Sequence, residues 1–164
     1  MDINQEDEWF AVRVRPSFEH TVFETLMSKG YDAYLPTYEE RKPWTQGGQN
    51  CELPLFSGYL FCRTSAERCL EIVQTAGVRD VVSFGRTPVG IPGCEIEAVR
   101  RLAQSRLKVE PHPYSPDGPV VRVEKGPLAG TEGIVRESCG TCKFLVSISL
   151  LQKTVAAEWD AAWV

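Results

Sequence analysis

The sequence predicts an α+β protein: an antiparallel sheet with helices on one face, followed by a small all-β unit. Three observations carry this. Residues 9–106 interleave strand-like and helix-like hydrophobic patterns, residues 107–118 are dense in proline, and beyond residue 119 only short strand patterns recur. A chain of 164 residues holds one ordinary domain or two small ones, and 43% hydrophobic content is normal for a folded protein. No apolar run approaches the roughly 20 residues that a membrane-spanning helix needs. The leader, residues 1–8, is acidic where a secretory signal would be basic and then apolar, so a cytoplasmic protein is expected.

In chain order, Trp9-Phe10-Ala11-Val12-Arg13-Val14 alternates as a strand with one buried face, leaving Trp9 and Arg13 on the other. Ser17 is the expected N-cap of a helix that turns Phe18, Val22, Leu26 and Met27 inward and ends at Gly30. Residues 31–36 read as a strand. Residues 37–53 read as a protruding hairpin or loop around Gln46-Gly47-Gly48-Gln49, with Arg41, Lys42 and Trp44 as candidate nucleic-acid contacts. Arg13 and Arg15 form a second local basic spot.

The stretch Pro54 to Arg63 is apolar on both faces, with Phe56, Leu60 and Cys62 on one side and Tyr59 and Phe61 on the other. A sheet covered by helices on one side normally wets its second face, so two aromatics there point to a covering segment or a partner. A helix then runs from Thr64 or Ser65 with Ala66, Cys69, Leu70 and Val73 inward, and Gly77 ends it. A strand at 80–84 and a third helix at 95–106 complete the ferredoxin-like order, with that helix added. Residues 107–118 are expected as a linker, and residues 119–164 as a small barrel.

Net charge is −4, with four acids in the first eight residues and twelve Lys/Arg against eleven Asp/Glu over 9–106. This speaks against nucleic-acid binding through bulk charge but allows local phosphate contacts. Most of the six cysteines read as buried thiols. Cys139-Gly140-Thr141-Cys142 has redox or zinc spacing without further ligands, and reads as a hairpin turn. His20 and His112 have no nucleophile or metal partner nearby in sequence, and no phosphate loop or nucleophile elbow is present, so neither catalysis nor a cofactor or metal is expected.

Two motifs then converge. Leu55-Phe56-Ser57-Gly58-Tyr59-Leu60-Phe61 resembles the LFPGYLF signature of the NusG N-terminal domain, and 121–135, with Gly126-Pro127-Leu128-Ala129-Gly130, resembles a KOW motif. Their order and spacing make the chain similar to NusG-family transcription elongation and antitermination factors from Trp9 to Val164. The resemblance implies an RNA polymerase-binding domain at 9–106 and an SH3-like β-barrel KOW domain at 119–164. It implies docking on the clamp helices of RNA polymerase through Trp9, Phe56, Tyr59 and Phe61, with Arg63, Thr64 and Ser65 touching a second polymerase element.

Through the loop of Gly126, Leu128 and Gly130, the KOW domain of such factors recruits Rho or a small-subunit ribosomal protein, although Leu128 packing inside the barrel is the equal alternative. The resemblance also implies contact with DNA in the elongation complex. A monomer with no membrane partner is expected. The acidic leader and short length lean toward a specialised paralogue of the RfaH or UpxY type. Glycines and Pro127 oppose refolding of the C-terminal domain into helices, so a stable barrel is expected. The rival reading is an RNA-recognition module in which Tyr59 and Phe61 stack on single-stranded RNA.

Overall fold

A computed structural model describes residues 7–41, 50–138 and 140–164, with the side chains of Arg41, Asn50 and Ser138 outside the description. In chain order the elements are β1 (Glu8–Val14), α1 (Glu19–Ser28), β2 (Asp32–Tyr34), β3 (Thr37–Arg41), β4 (Asn50–Pro54), β5 (Tyr59–Thr64) and α2 (Cys69–Val73). There follow β6 (Val78–Val81), β7 (Ser83–Phe84), β8 (Thr87–Pro88), α3 (Gly93–Gln104) and β9 (Val109–His112). The chain closes with β10 (Val120–Arg122), β11 (Glu132–Ser138), β12 (Thr141–Ile148) and β13 (Lys153–Glu158). Two compact units result, one of residues 1–36 with 56–93, the other of residues 37–55 with 94–164.

The first unit is a four-stranded sheet in the order β2-β5-β1-β6, with each neighbouring pair antiparallel, which is the ferredoxin-like arrangement. Alternation explains the core. Phe10, Val12 and Val14 of β1 and Leu60 and Cys62 of β5 share one face with Val22 and Leu26 of α1 and Cys69 and Ile72 of α2. Ser17 is not the N-cap of α1: it adopts φ 71°, and Phe18 takes that position without a side-chain cap. Glu19, buried at 6% exposure, instead accepts a hydrogen bond from the Gly58 N–H at 2.9 Å. The start of α1 is thereby tied to the turn that precedes β5.

Both helices bury narrower stripes than expected. Phe18 and Met27 of the α1 segment are exposed, and α2 buries Cys69 and Ile72 while Leu70 and Val73 face outward. The cause in α2 is a 3₁₀ turn over Ala66–Arg68, whose three residues per turn shift the phase of everything after it.

In the second unit, β3 and β4 pair as the expected hairpin arms, with the intervening turn outside the described residues. The five-stranded antiparallel sheet β10-β11-β12-β13-β9 is of the small SH3-like barrel class. It buries Val123, Leu128, Phe144, Ile148 and Val155 at 0% exposure. Aromatics close its end: the Phe144 and Trp159 rings stack at 5.4 Å, and Trp163 meets Trp159 edge-on at 5.8 Å.

The expected linker contains a strand. Pro111 lies on β9, which borders the sheet, and an edge strand tolerates a residue that cannot donate to the ladder. The unit boundary also falls at the start of α3, between Gly93 and Cys94, rather than at residue 106. Glu95 of α3 accepts the Ser149 N–H at 3.2 Å and the Ser149 hydroxyl at 2.9 Å, and Arg101 donates to the Ala129 carbonyl at 3.1 Å.

Candidate docking face

The sheet face of the first unit opposite α1 and α2 is set by register. Trp9 stands across from Arg63, Ala11 from Phe61, and Arg13 from Tyr59, while β2 places Asp32 beside Arg63 and Tyr34 beside Phe61. The face is therefore a band of aromatics with an arginine toward either end. Trp9 and Tyr34 meet edge-on with ring centroids 6.5 Å apart. Phe56 and Phe61 do the same at 5.4 Å.

Phe56 belongs with Phe61, not with Leu60 and Cys62 as strict alternation suggested. It precedes the strand in a turn closed by the Tyr59 N–H donating to the Phe56 carbonyl at 3.0 Å. Gly58 makes that turn at φ 84°, a backbone region costly for any residue with a Cβ. The turn breaks the period of two, and Phe56 changes side.

Accessibility divides the expected docking residues. Trp9 and Tyr59 are half-buried, whereas Phe56 and Phe61 are 1% and 0% exposed. Phe56 and Phe61 are thus packing residues in this structure rather than open contact surface. The same burial removes Phe61 from base stacking, which the RNA-recognition reading required. Arg63 is exposed, Ser65 is half-buried and Thr64 is buried at 2%.

Electrostatically, Arg13 is engaged. Its Nε and Nη2 donate to the two Asp80 carboxylate oxygens at 2.7 Å each, and this bond holds the guanidinium pKa above its ordinary value. A bidentate pair of this kind fixes β6 against β1 and leaves Arg13 less free for phosphate than expected. Arg15 is exposed and stays available; Lys42 and Trp44, and the side chain of Arg41, lie outside the described residues.

In the second unit, the loop of Gly126, Leu128 and Gly130 resolves the open alternative: Leu128 is fully buried, so it anchors the loop instead of presenting itself. Gly126 lies so close to Trp163 that a Cβ there would stand 2.8 Å from the ring. Trp163 also accepts the Glu124 and Lys125 N–H groups on its carbonyl at 3.0 Å each, which locks the entrance of the loop. Exposed residues at its tip are Pro127 and Ala129.

Sequence reasoning missed Tyr34, whose strand is three residues long, and Asp80, whose role depends on a strand distant in sequence. Both lie on the sheet face only because of the order β2-β5-β1-β6. No group of His, Cys, Asp and Glu among the described residues could hold a metal ion, and no described helix is long and apolar enough to cross a membrane.

A ferredoxin-like sandwich with an aromatic sheet face, followed by an SH3-like sheet, defines a two-unit protein of the α+β class. The profile of the family described as transcription termination factor nusG matches residues 7–100. The chain belongs to the NusG family, and so to the transcription factors that act in elongation and termination. Among solved structures it is similar to that titled for domain interaction in Thermotoga maritima NusG, at 21% identity and a TM-score of 0.56 over 93% of both chains. A further match is the MjSpt4:Spt5 complex in conformation B, at 16% identity and a TM-score of 0.34, covering 93% of this chain and 99% of that one. None of the curated proteins matches.

Proposed function

We propose that this chain docks on the clamp helices of RNA polymerase through the aromatic face of its first unit, suppresses pausing and modulates termination. The observation that carries the reading is the band of Trp9, Tyr34, Tyr59 and Phe61 across three strands, bordered by Arg13 and Arg63. Helical coiled coils present apolar seams flanked by charges, and an aromatic band with the exposed Arg63 at one end and the Arg13–Asp80 ion pair at the other complements them. Phe56 and Phe61 support the band from within, and Trp9 and Tyr59 are the contact residues. Arg63, which is exposed, and Ser65, which is half-buried, touch a second polymerase element. The second unit recruits Rho or a small-subunit ribosomal protein through the tip at Pro127 and Ala129, with Leu128 as its buried anchor. Arg15 supports contact with DNA in the elongation complex.

The test is binding of the full chain to core RNA polymerase. Each interfacial aromatic lost from a hot spot costs about 2 kcal/mol, so a Trp9→Ala, Tyr59→Ala double variant that retains its thermal melt should bind well over tenfold more weakly. Unchanged affinity in that folded variant rejects the face as the docking site.

A further inference from the structure

Beyond the docking face, we propose that the tip of the β7–β8 hairpin is a contact for single-stranded nucleic acid, with Phe84 stacking on one unpaired base and Arg86 meeting the adjoining phosphate. The hairpin is four paired residues joined by Gly85 and Arg86, with Ser83 opposite Pro88 and Phe84 opposite Thr87. Gly85 at φ 64° permits the two-residue turn. Phe84 is 85% exposed, the most exposed of the large hydrophobic side chains described, and Arg86 two residues on is exposed as well.

Folding does not account for this arrangement. A surface phenylalanine on a loose loop has an alternative in collapse onto the protein, but this hairpin is fixed at its base. The Val82 N–H donates to the Ala11 carbonyl at 2.9 Å, the Val89 N–H to the Val82 carbonyl at 3.2 Å, and the Ile91 N–H to the Trp9 carbonyl at 2.8 Å. The Ser83 hydroxyl donates to the Val81 carbonyl at 2.8 Å. Both legs are therefore pinned at the strand that carries Trp9, and the ring is held outward. Such pre-organisation lowers the entropy cost of a contact.

Size and charge select the occupant. A stable protein interface buries about 800 Å² on each partner, and the tip offers one ring beside Ser83, Gly85 and Thr87. A nucleotide needs only a π-face and a nearby cation, which are the two features present, and aromatic stacking accepts any base. The overall charge of −4 makes attraction from the bulk weak, so the arginine beside the ring has to supply the phosphate contact locally.

The experiment is fluorescence anisotropy of labelled oligodeoxyuridine and oligouridine of about ten nucleotides, within the usual span of single-strand sites, titrated with the full chain at low and at raised salt. Using free oligomers separates this proposal from polymerase docking. Saturable binding is expected, weakened about tenfold by Phe84→Ala or Phe84→Leu and retained by Phe84→Tyr. Arg86→Ala should weaken binding and flatten its salt dependence by about one phosphate contact. The thermal melt of each variant should match the wild type, because these side chains support no core. Failure of the wild type to bind either oligomer, or equal binding by Phe84→Ala, overturns the proposal. So does loss of polymerase affinity in Phe84→Ala with oligomer binding intact, which would make the tip a protein contact. A preference between the two oligomers identifies the sugar.

Discussion

Cys62 and Cys69 lie in the core between the sheet and α2, and burial pushes their thiols up to about 12 and about 11. The thiolate is the reactive form, so neither cysteine should react at neutral pH in the folded chain. Cys94 and Cys142 are exposed and should be alkylated by iodoacetamide at once, with Cys62 and Cys69 following only in denaturant. Mass spectrometry of the alkylated chain decides it; early modification of Cys62 would contradict the burial. The same shifts fix a sign for stability. Below the ordinary thiol value of 9.0 both states are protonated and nothing changes. Above it the unfolded thiols ionise first, so unfolding becomes easier until the folded pKa near about 12 is passed. Urea melts taken upward from pH 9.0 should show this decline, and a double Cys62→Ala, Cys69→Ala variant should lose that component of it. The buried character of these thiols was legible from their place in patterned elements. The inward turn of Leu128 was not, because glycines on either side permit the loop to fold in or out.

At the level of elements, periodicity placed the strands and helices because burial on one face imposes it, and it failed wherever another constraint intervened. The 3₁₀ turn before α2 rotated the buried stripe, and the turn at Gly58 moved Phe56 to the side of Phe61. Ser17 has the composition of a cap, yet the carboxylate of Glu19 bonding Gly58 settles how the helix begins. Two glycines separate conformational strain from steric conflict. At Gly58 a Cβ would find its nearest neighbour, the Val14 carbonyl oxygen, at 4.0 Å, so Gly58→Ala should cost only the strain of positive φ, about 1–2 kcal/mol. At Gly133 on β11 the φ is ordinary, but a Cβ would stand 2.5 Å from the Phe144 ring and 2.7 Å from the Leu145 carbonyl oxygen. Gly133→Ala should cost about 3 kcal/mol, at the upper end for overpacking. Chemical denaturation of the two variants ranks them; a milder effect at Gly133 than at Gly58 would refute the packing described for β11.

For the whole molecule, the two-part composition was legible in the change of period after the prolines, but the true extent of the second unit was not. Pro111 and Pro113 suppress the strand signal of 109–112, and only pairing with β13 reveals it. Glu110 of β9 and Lys143 of β12 add an ion pair at 2.6 Å, and that bond holds the Glu110 carboxyl below its ordinary range. These contacts bear on whether the C-terminal chain keeps its strands when separated from the rest. A fragment of residues 94–164 retains α3, β9 and the sheet, whereas 119–164 loses β9 and exposes the Val155–Ala157 edge of β13. The longer fragment should give a cooperative thermal transition with strand-dominated circular dichroism. The shorter one should melt lower and aggregate more readily, since an unpaired apolar edge invites intermolecular pairing. Both should lack substantial helix beyond α3, because Gly126, Pro127, Gly130 and Gly133 interrupt any long helix over that stretch. A largely helical 119–164 fragment would reverse the expectation of a stable barrel and would mean that the strands depend on β9 and α3 to persist.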